Sequence, residues 1–207
     1  MFKAAEMQLL LKKIFLWRQK MRKNFGAQTA LFPMPVFIIG TYDENMIPDA
    51  MNAAWGGISE ENEISICVSA GHKTTKNLLK TGAFTVSIAD EKNMISADYV
   101  GIVSGNDVNN KIENANWTVL KSEHVNAPLF EELPLALECR VKSYDENACR
   151  LVGEIVNLSV DESILDEDGE IDMSKFVPIT YNPFHHTYIK LGETVGTAFS
   201  DGKKLEK

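Results

Sequence analysis

The segments Asn52-Ala53-Ala54-Trp55-Gly56-Gly57 and Ser69-Ala70-Gly71-His72-Lys73-Thr74-Thr75-Lys76-Asn77 hold the residues of this chain best suited to chemistry. The first is small-residue backbone at the end of an expected strand. A flat ligand could lie against it, because main-chain N–H groups reach a ring edge only where the side chains around them are small. Trp55 could cover a ring face, or plug a core or a dimer interface. The second crowds donors into a strand end that runs into a helix start. Unpaired N–H groups and the helix dipole favour an anion there. Ser69 and Thr74 or Thr75 can add hydroxyls, Lys73 a point charge, and Asn77 and His72 further donors. Ordinary capping explains any one threonine; the cluster together favours phosphate. A planar ring beside one segment and a phosphate beside the other describe flavin mononucleotide (FMN).

Other candidate residues form no comparable pattern. Cys67, Cys139 and Cys149 lack CxxC spacing, so neither a disulfide framework nor a zinc site is expected, and buried inert thiols are the plain reading. His185-His186 resembles a metal pair, but adjacent residues on a strand face opposite sides. His124 has no partner nearby in sequence. Asp166-Glu167-Asp168-Gly169 lacks the alternating oxygen ligands and closing Glu of a calcium loop, and reads as solvated. Nothing suggests a covalent nucleophile, so no catalytic side chain is assigned and no metal is expected.

The elements that must position these residues are mainly strands. Val36 to Thr41 and Asp49 to Trp55 flank the turn Asp43-Glu44-Asn45. Glu63 to Ser69 alternates, with Ile64, Ile66 and Val68 on one face. Thr74 to Lys80 reads as a short helix closed by Gly82, Ala83 to Ala89 as a strand, and Glu91 to Tyr99 as a second short helix. A loop-rich stretch from Gly101 to about Leu133 precedes a long hairpin, whose arms run from Leu135 to Tyr144 and from Cys149 to Val160. This pattern is mainly β with short helices, and barrel-like.

The 207 residues carry a net charge of −8 with 44% hydrophobic content, which fits one globular domain and argues against a nucleic-acid binder. The sparse cysteines fit a reducing, cytoplasmic setting. Charge is uneven: Lys3, Lys12, Lys13, Arg18, Lys20, Arg22 and Lys23 face only Glu6 at the start. Residues 1–20 therefore read as a basic amphipathic extension that could touch a membrane surface or a partner. A start at Met21 serves equally well, and no membrane role is assigned. The domain proper is taken as residues 21–207.

Met34-Pro35-Val36, the two segments above, and Asp98-Tyr99-Val100-Gly101-Ile102-Val103-Ser104-Gly105 together resemble the flavin reductase-like family, in particular its flavoredoxin branch. The resemblance runs from about Met21 to the C-terminus. It implies an FMN-binding split β-barrel, usually a homodimer, with NADH or NADPH as electron donor or a redox protein as partner. It also implies that Asn52, Ala53, Ala54 and Trp55 meet the flavin ring and Ser69 to Asn77 the phosphate. The Tyr99–Ser104 turn is implied to lie near the cofactor or the second subunit. Where many relatives carry an Arg-Lys-Asp-Thr type segment, this chain has His72-Lys73-Thr74-Thr75, which exchanges a bidentate phosphate donor for a point charge. Two activities follow from the resemblance: hydride transfer from nicotinamide to flavin, or electron carriage without a nicotinamide.

Overall fold

The computed structural model describes residues 2–20 and 22–206, with side chains in the first helix described for 4 and 6–15. It divides into two compact units, Met1–Leu31 and Phe32–Lys207. The first contains helix α1 (Phe2–Lys20). At 3.6 residues per turn, Met7, Leu10, Leu11, Ile14 and Phe15 share one side, while Leu9 falls between Lys12 and Lys13 on the other. All six apolar side chains are exposed, so the expected amphipathic segment is helical but imperfectly sided.

In the second unit, β1 (Phe37–Tyr42) is buried along its whole length because its two faces meet different cores. Val36 and Ile38 pack with Ala50, Ala97, Val100, Trp117 and Phe130. Phe37 and Ile39 pack on the other side with Ile64, Ile66, Leu78, Phe84, Val86 and Leu151. Alternation at period two does this sorting.

Six further strands complete an antiparallel sheet: β2 (Pro48–Ala53), β3 (Gly56–Glu60), β4 (Glu63–Cys67), β5 (Ala83–Ile88), β8 (Leu135–Asp145) and β9 (Arg150–Val160). Their order is β2-β1-β5-β8-β9-β4-β3. The two outermost strands are consecutive in the chain, with only Ala54 and Trp55 between them. A flat sheet could not satisfy that connection, so this one curls until its edges approach each other. Register shifts between Glu138 and Cys139 and between Val141 and Ser143 provide local bends. The result is a split β-barrel. β3 lies outside the expected strands: Gly56-Gly57 carries no strand signal, and the strand exists because Gly56 pairs with Ile66 and Ile58 with Ile64.

Helix α2 (Lys73–Thr81) buries Leu78 in the inner core and ends at Gly82. Helix α3 (Met94–Ile102) begins later than expected, because the Asp90 carboxylate accepts from both the backbone and side-chain nitrogens of Asn93 and shapes the lead-in. The stretch expected to be loop contains the one-turn helix α4 (Lys111–Asn114) and the strand pair β6 (Val119–Lys121) and β7 (Pro128–Phe130). A final hairpin, β10 (Ile179–Asn182) with β11 (Thr187–Lys190), is held to the sheet side by bridges from Pro35 to Thr180 and from Asp90 to Pro178.

Candidate functional site

The corner where β2 gives way to β3 forms the floor of a groove of about 360 Å³. Asn52, Ala53, Ala54 and Trp55 line it together, as the sequence suggests, joined by Cys67 and His72. Its other wall was not foreseen: Asp98, Gly101 and Ile102 from α3, and Tyr181 and Tyr188 from the final hairpin. Trp55 is 48% exposed, which removes the core-plug reading. Its ring lies 6.2 Å from that of Tyr181, which lies 6.2 Å from Tyr188. Asn52 is fixed from behind, its Nδ2 donating to the Ala97 carbonyl at 3.1 Å.

Tyr188 donates its hydroxyl to Asp98 Oδ1 at 2.7 Å, which ties the hairpin to α3. Burial, then the Asp98 hydrogen bond and charge, push the phenol well above its ordinary value, against an opposing contact from Asn52. The sign follows: the unfolded phenol ionises first, so this contribution to stability is present below the unfolded pKa and lost as pH rises through the folded one. In a phenolate-absorbance titration, Tyr188 should ionise above the ordinary phenol range, and Asp98→Asn should bring it earlier. An unchanged titration curve in Asp98→Asn would remove Asp98 as a cause.

A second cavity of about 240 Å³ adjoins the groove, sharing Met51, Asn52, His72, Gly101 and Ile102 with it. Lys73, Thr74, Ser104, Gly105 and Lys111 supply its polar walls. It sits at the start of α2, where His72 occupies the N-cap position without a capping side-chain hydrogen bond, so the first-turn N–H groups are not covered by a capping side chain. Lys73 lies 3.6 Å from Asp43. Burial opposes ionisation of Asp43, but the Ile47 and Asn45 N–H groups and the Lys73 cation outweigh it and hold the carboxyl below its usual range.

The remaining sequence candidates divide. Ser104 lines the second cavity and accepts from the Asn106 N–H. Thr74 also lines it, but its hydroxyl donates to Asp49 Oδ2 at 2.6 Å, so its proton is committed. The Thr75 hydroxyl is sealed from solvent and has no hydrogen-bond partner among the described residues. Asn77 donates to Thr41 and lines an adjoining polar cavity with Lys76 and Lys80; that cavity shares Lys73 and Gly105 with the second one. Ser69 is exposed, accepts from the Gly71 N–H, and lines neither site cavity. Tyr99 packs on the outer core and its hydroxyl accepts from Asn114; on helix α3 its neighbour Asp98 faces the groove instead.

Cys139 is buried, its thiol pushed up to about 12 by burial and then by Glu138, but Cys67 is exposed in the groove wall, which corrects the reading of all three thiols as buried. His185 and His186 lie in the turn between β10 and β11, not on a strand; His186 Nδ1 is 2.7 Å from the Tyr181 hydroxyl. No cluster of metal-ligating side chains occurs among the described residues, and no described helix is long and apolar enough to cross a membrane.

Residues 29–185 match the family described as "Flavin reductase like domain". Among solved structures, flavoredoxin of Desulfovibrio vulgaris (Miyazaki F) is 37% identical, with a TM-score of 0.84 over 88% of this chain and 100% of that one. Flavoredoxin from Methanosarcina acetivorans is 26% identical, with a TM-score of 0.78 over 89% and 99% of the two chains. An uncharacterized protein of Halalkalibacterium halodurans is 26% identical over 180 residues, 80% of this chain and 85% of its own.

Proposed function

The chain belongs to the flavin reductase-like domain family, and from that footing we propose that it binds FMN and works as an oxidoreductase, taking hydride from NADH or NADPH and passing electrons onward. One observation carries this reading: an aromatic-walled groove floored by small-residue backbone opens beside a polar cavity at a helix start. The residues fit the cofactor. Ala53 and Ala54 would offer backbone to the ring edge, with Asn52 fixed beside them and Trp55 at the ring. Lys73, His72, Ser104 and the first-turn N–H groups of α2 would hold the phosphate. When bound, flavin supplies the hydride-accepting ring; the protein's part is to orient it, screen it and set its hydrogen bonds.

The Tyr188–Asp98 pair adds a polar group to an otherwise largely apolar wall. With its phenol pushed up, Tyr188 stays protonated near neutrality and remains a hydrogen-bond donor to whatever occupies the groove or to Asp98. Trp55 and Ile102 line the groove and are exposed, 48% and 75%, and we take them as surface for a second copy of the chain. An electron carrier reduced by a protein partner is the second reading. It is favoured by the 37% identity with a flavoredoxin over that protein's full length.

An anaerobic experiment separates the two. The protein is loaded with FMN, NADH or NADPH is added, and the oxidised-flavin absorbance is followed. Bleaching much faster than that of free FMN establishes the reductase and names the donor. Bound flavin that persists under both nucleotides sinks it in favour of the carrier. Failure to retain or turn over FMN at all overturns both.

A further inference from the structure

Lys111 stands in the second cavity without a part in the reading above. It opens α4 and is only 3% exposed, yet it lines the cavity with His72, Lys73, Thr74 and Ser104. Its Nζ donates to the Ala50 carbonyl at 2.5 Å and lies 3.6 Å from Asp49 Oδ1. Asp49 is itself 2% exposed. One of its oxygens receives the Thr74 hydroxyl; the other has no hydrogen-bond partner among the described residues. The backbone of the loop between α3 and α4 closes over it, since a Cβ on Gly105 would stand 2.4 Å from Asp49 Oδ1.

A carboxylate is therefore sealed against the first turn of α2, where the proposed ligand brings a second negative charge. Charges buried in low-dielectric surroundings are poorly screened, so an uncompensated Asp49 would repel a phosphate strongly. Burial lowers the Lys111 pKa on balance, with a smaller push from the Lys73 cation, while Asp49 works to retain the charge.

We propose that Lys111 is the counter-charge that makes this cavity a phosphate site, neutralising Asp49 so that Asp49 can anchor α2 through Thr74 without repelling the dianion. The inference rests on the FMN reading and adds to it a positioning residue that acts through Asp49. It implies a coupling between two side chains, and that coupling has a sign.

FMN and riboflavin, which lacks the phosphate, are titrated into wild type, Lys111→Met, Asp49→Asn and the double variant. Lys111→Met should lower FMN affinity about tenfold or more while riboflavin stays within about twofold. Asp49→Asn should move the FMN-to-riboflavin ratio the opposite way, because it leaves the cation uncompensated. In the double variant most of the lost ratio should return. Should Lys111→Met fail to fold, Asp49→Asn against wild type still reads the sign. Equal losses of both ligands, or an unchanged ratio in Asp49→Asn, overturn the proposal. So does an FMN loss from Lys111→Met that persists undiminished in the Asp49→Asn background. Wild type that binds FMN no better than riboflavin overturns the phosphate reading itself, a failure visible before any variant is made.

Discussion

Lys73→Glu is expected to lower FMN affinity about a hundredfold or more and to leave riboflavin within about threefold. Lys73 is a cation of the cavity wall that keeps some exposure, and among the described residues its one ion-pair partner is Asp43 at 3.6 Å. Removing a charged hydrogen bond costs about 1.5–3 kcal/mol. Reversing the charge adds repulsion, and every ~1.4 kcal/mol is tenfold in affinity. The ring groove contains His72 but not Lys73, so the riboflavin measurement is the internal control. Lys73→Arg keeps the cation and should retain FMN preference. Parallel losses of FMN and riboflavin in Lys73→Glu would show that the phosphate lies elsewhere. The same titrations on Thr75→Val address the sealed hydroxyl, whose removal should leave the ratio unchanged.

Phe84→Ala should destabilise the barrel by about 3–5 kcal/mol, a large part of the ~5–15 kcal/mol that holds a typical domain together. Phe84 is fully buried on β5 within the inner core. Its ring fills the space beside Gly153 on β9: a Cβ there would stand 2.3 Å from Phe84 Cζ. The two positions are thus one packing unit across the curl of the sheet. Gly153→Ala alone should cost about 1–3 kcal/mol by overpacking. With Phe84→Ala the added methyl enters the vacated space, so the double variant should lose less than the two singles combined. Chemical denaturation of the four proteins checks this, and strict additivity would separate the two residues.

How far the chain announces this arrangement depends on the length scale of the signal. Ile64, Ile66 and Val68 alternate with polar neighbours and are buried as that alternation requires. Gly82 ends α2, and the long hairpin lies within a residue or so of its expected bounds. Asn52 to Trp55 stand together in one groove because neighbours in sequence on one strand end can hardly be separated. What the pattern did not show is what arrives from far along the chain. Tyr181 and Tyr188 reach the groove through a hairpin more than a hundred residues away from β2, and nothing local marks them as walls. Nothing local marks Asp49 and Lys111, far apart in the chain, as a pair that the fold buries against each other. For Thr74 and Thr75 the same length scale applies: composition counts donors, whereas availability depends on partners such as Asp49.

The two-residue link between β2 and β3 has one more consequence. The outermost strands of the sheet are joined at Ala54-Trp55, and the groove at that joint also takes in Cys67 of β4, Asp98 of α3 and Tyr181 and Tyr188 of the final hairpin, so an occupant would touch parts that only the curled sheet brings together. Its binding energy would then be available only to the folded sheet, since the unfolded chain does not hold these parts together. Saturation at a hundred times the dissociation constant would add about 2.7 kcal/mol to the resistance to unfolding. The cofactor would act as a clasp on the barrel as well as its reagent, and the folded lifetime of this protein would follow the supply of the molecule it uses.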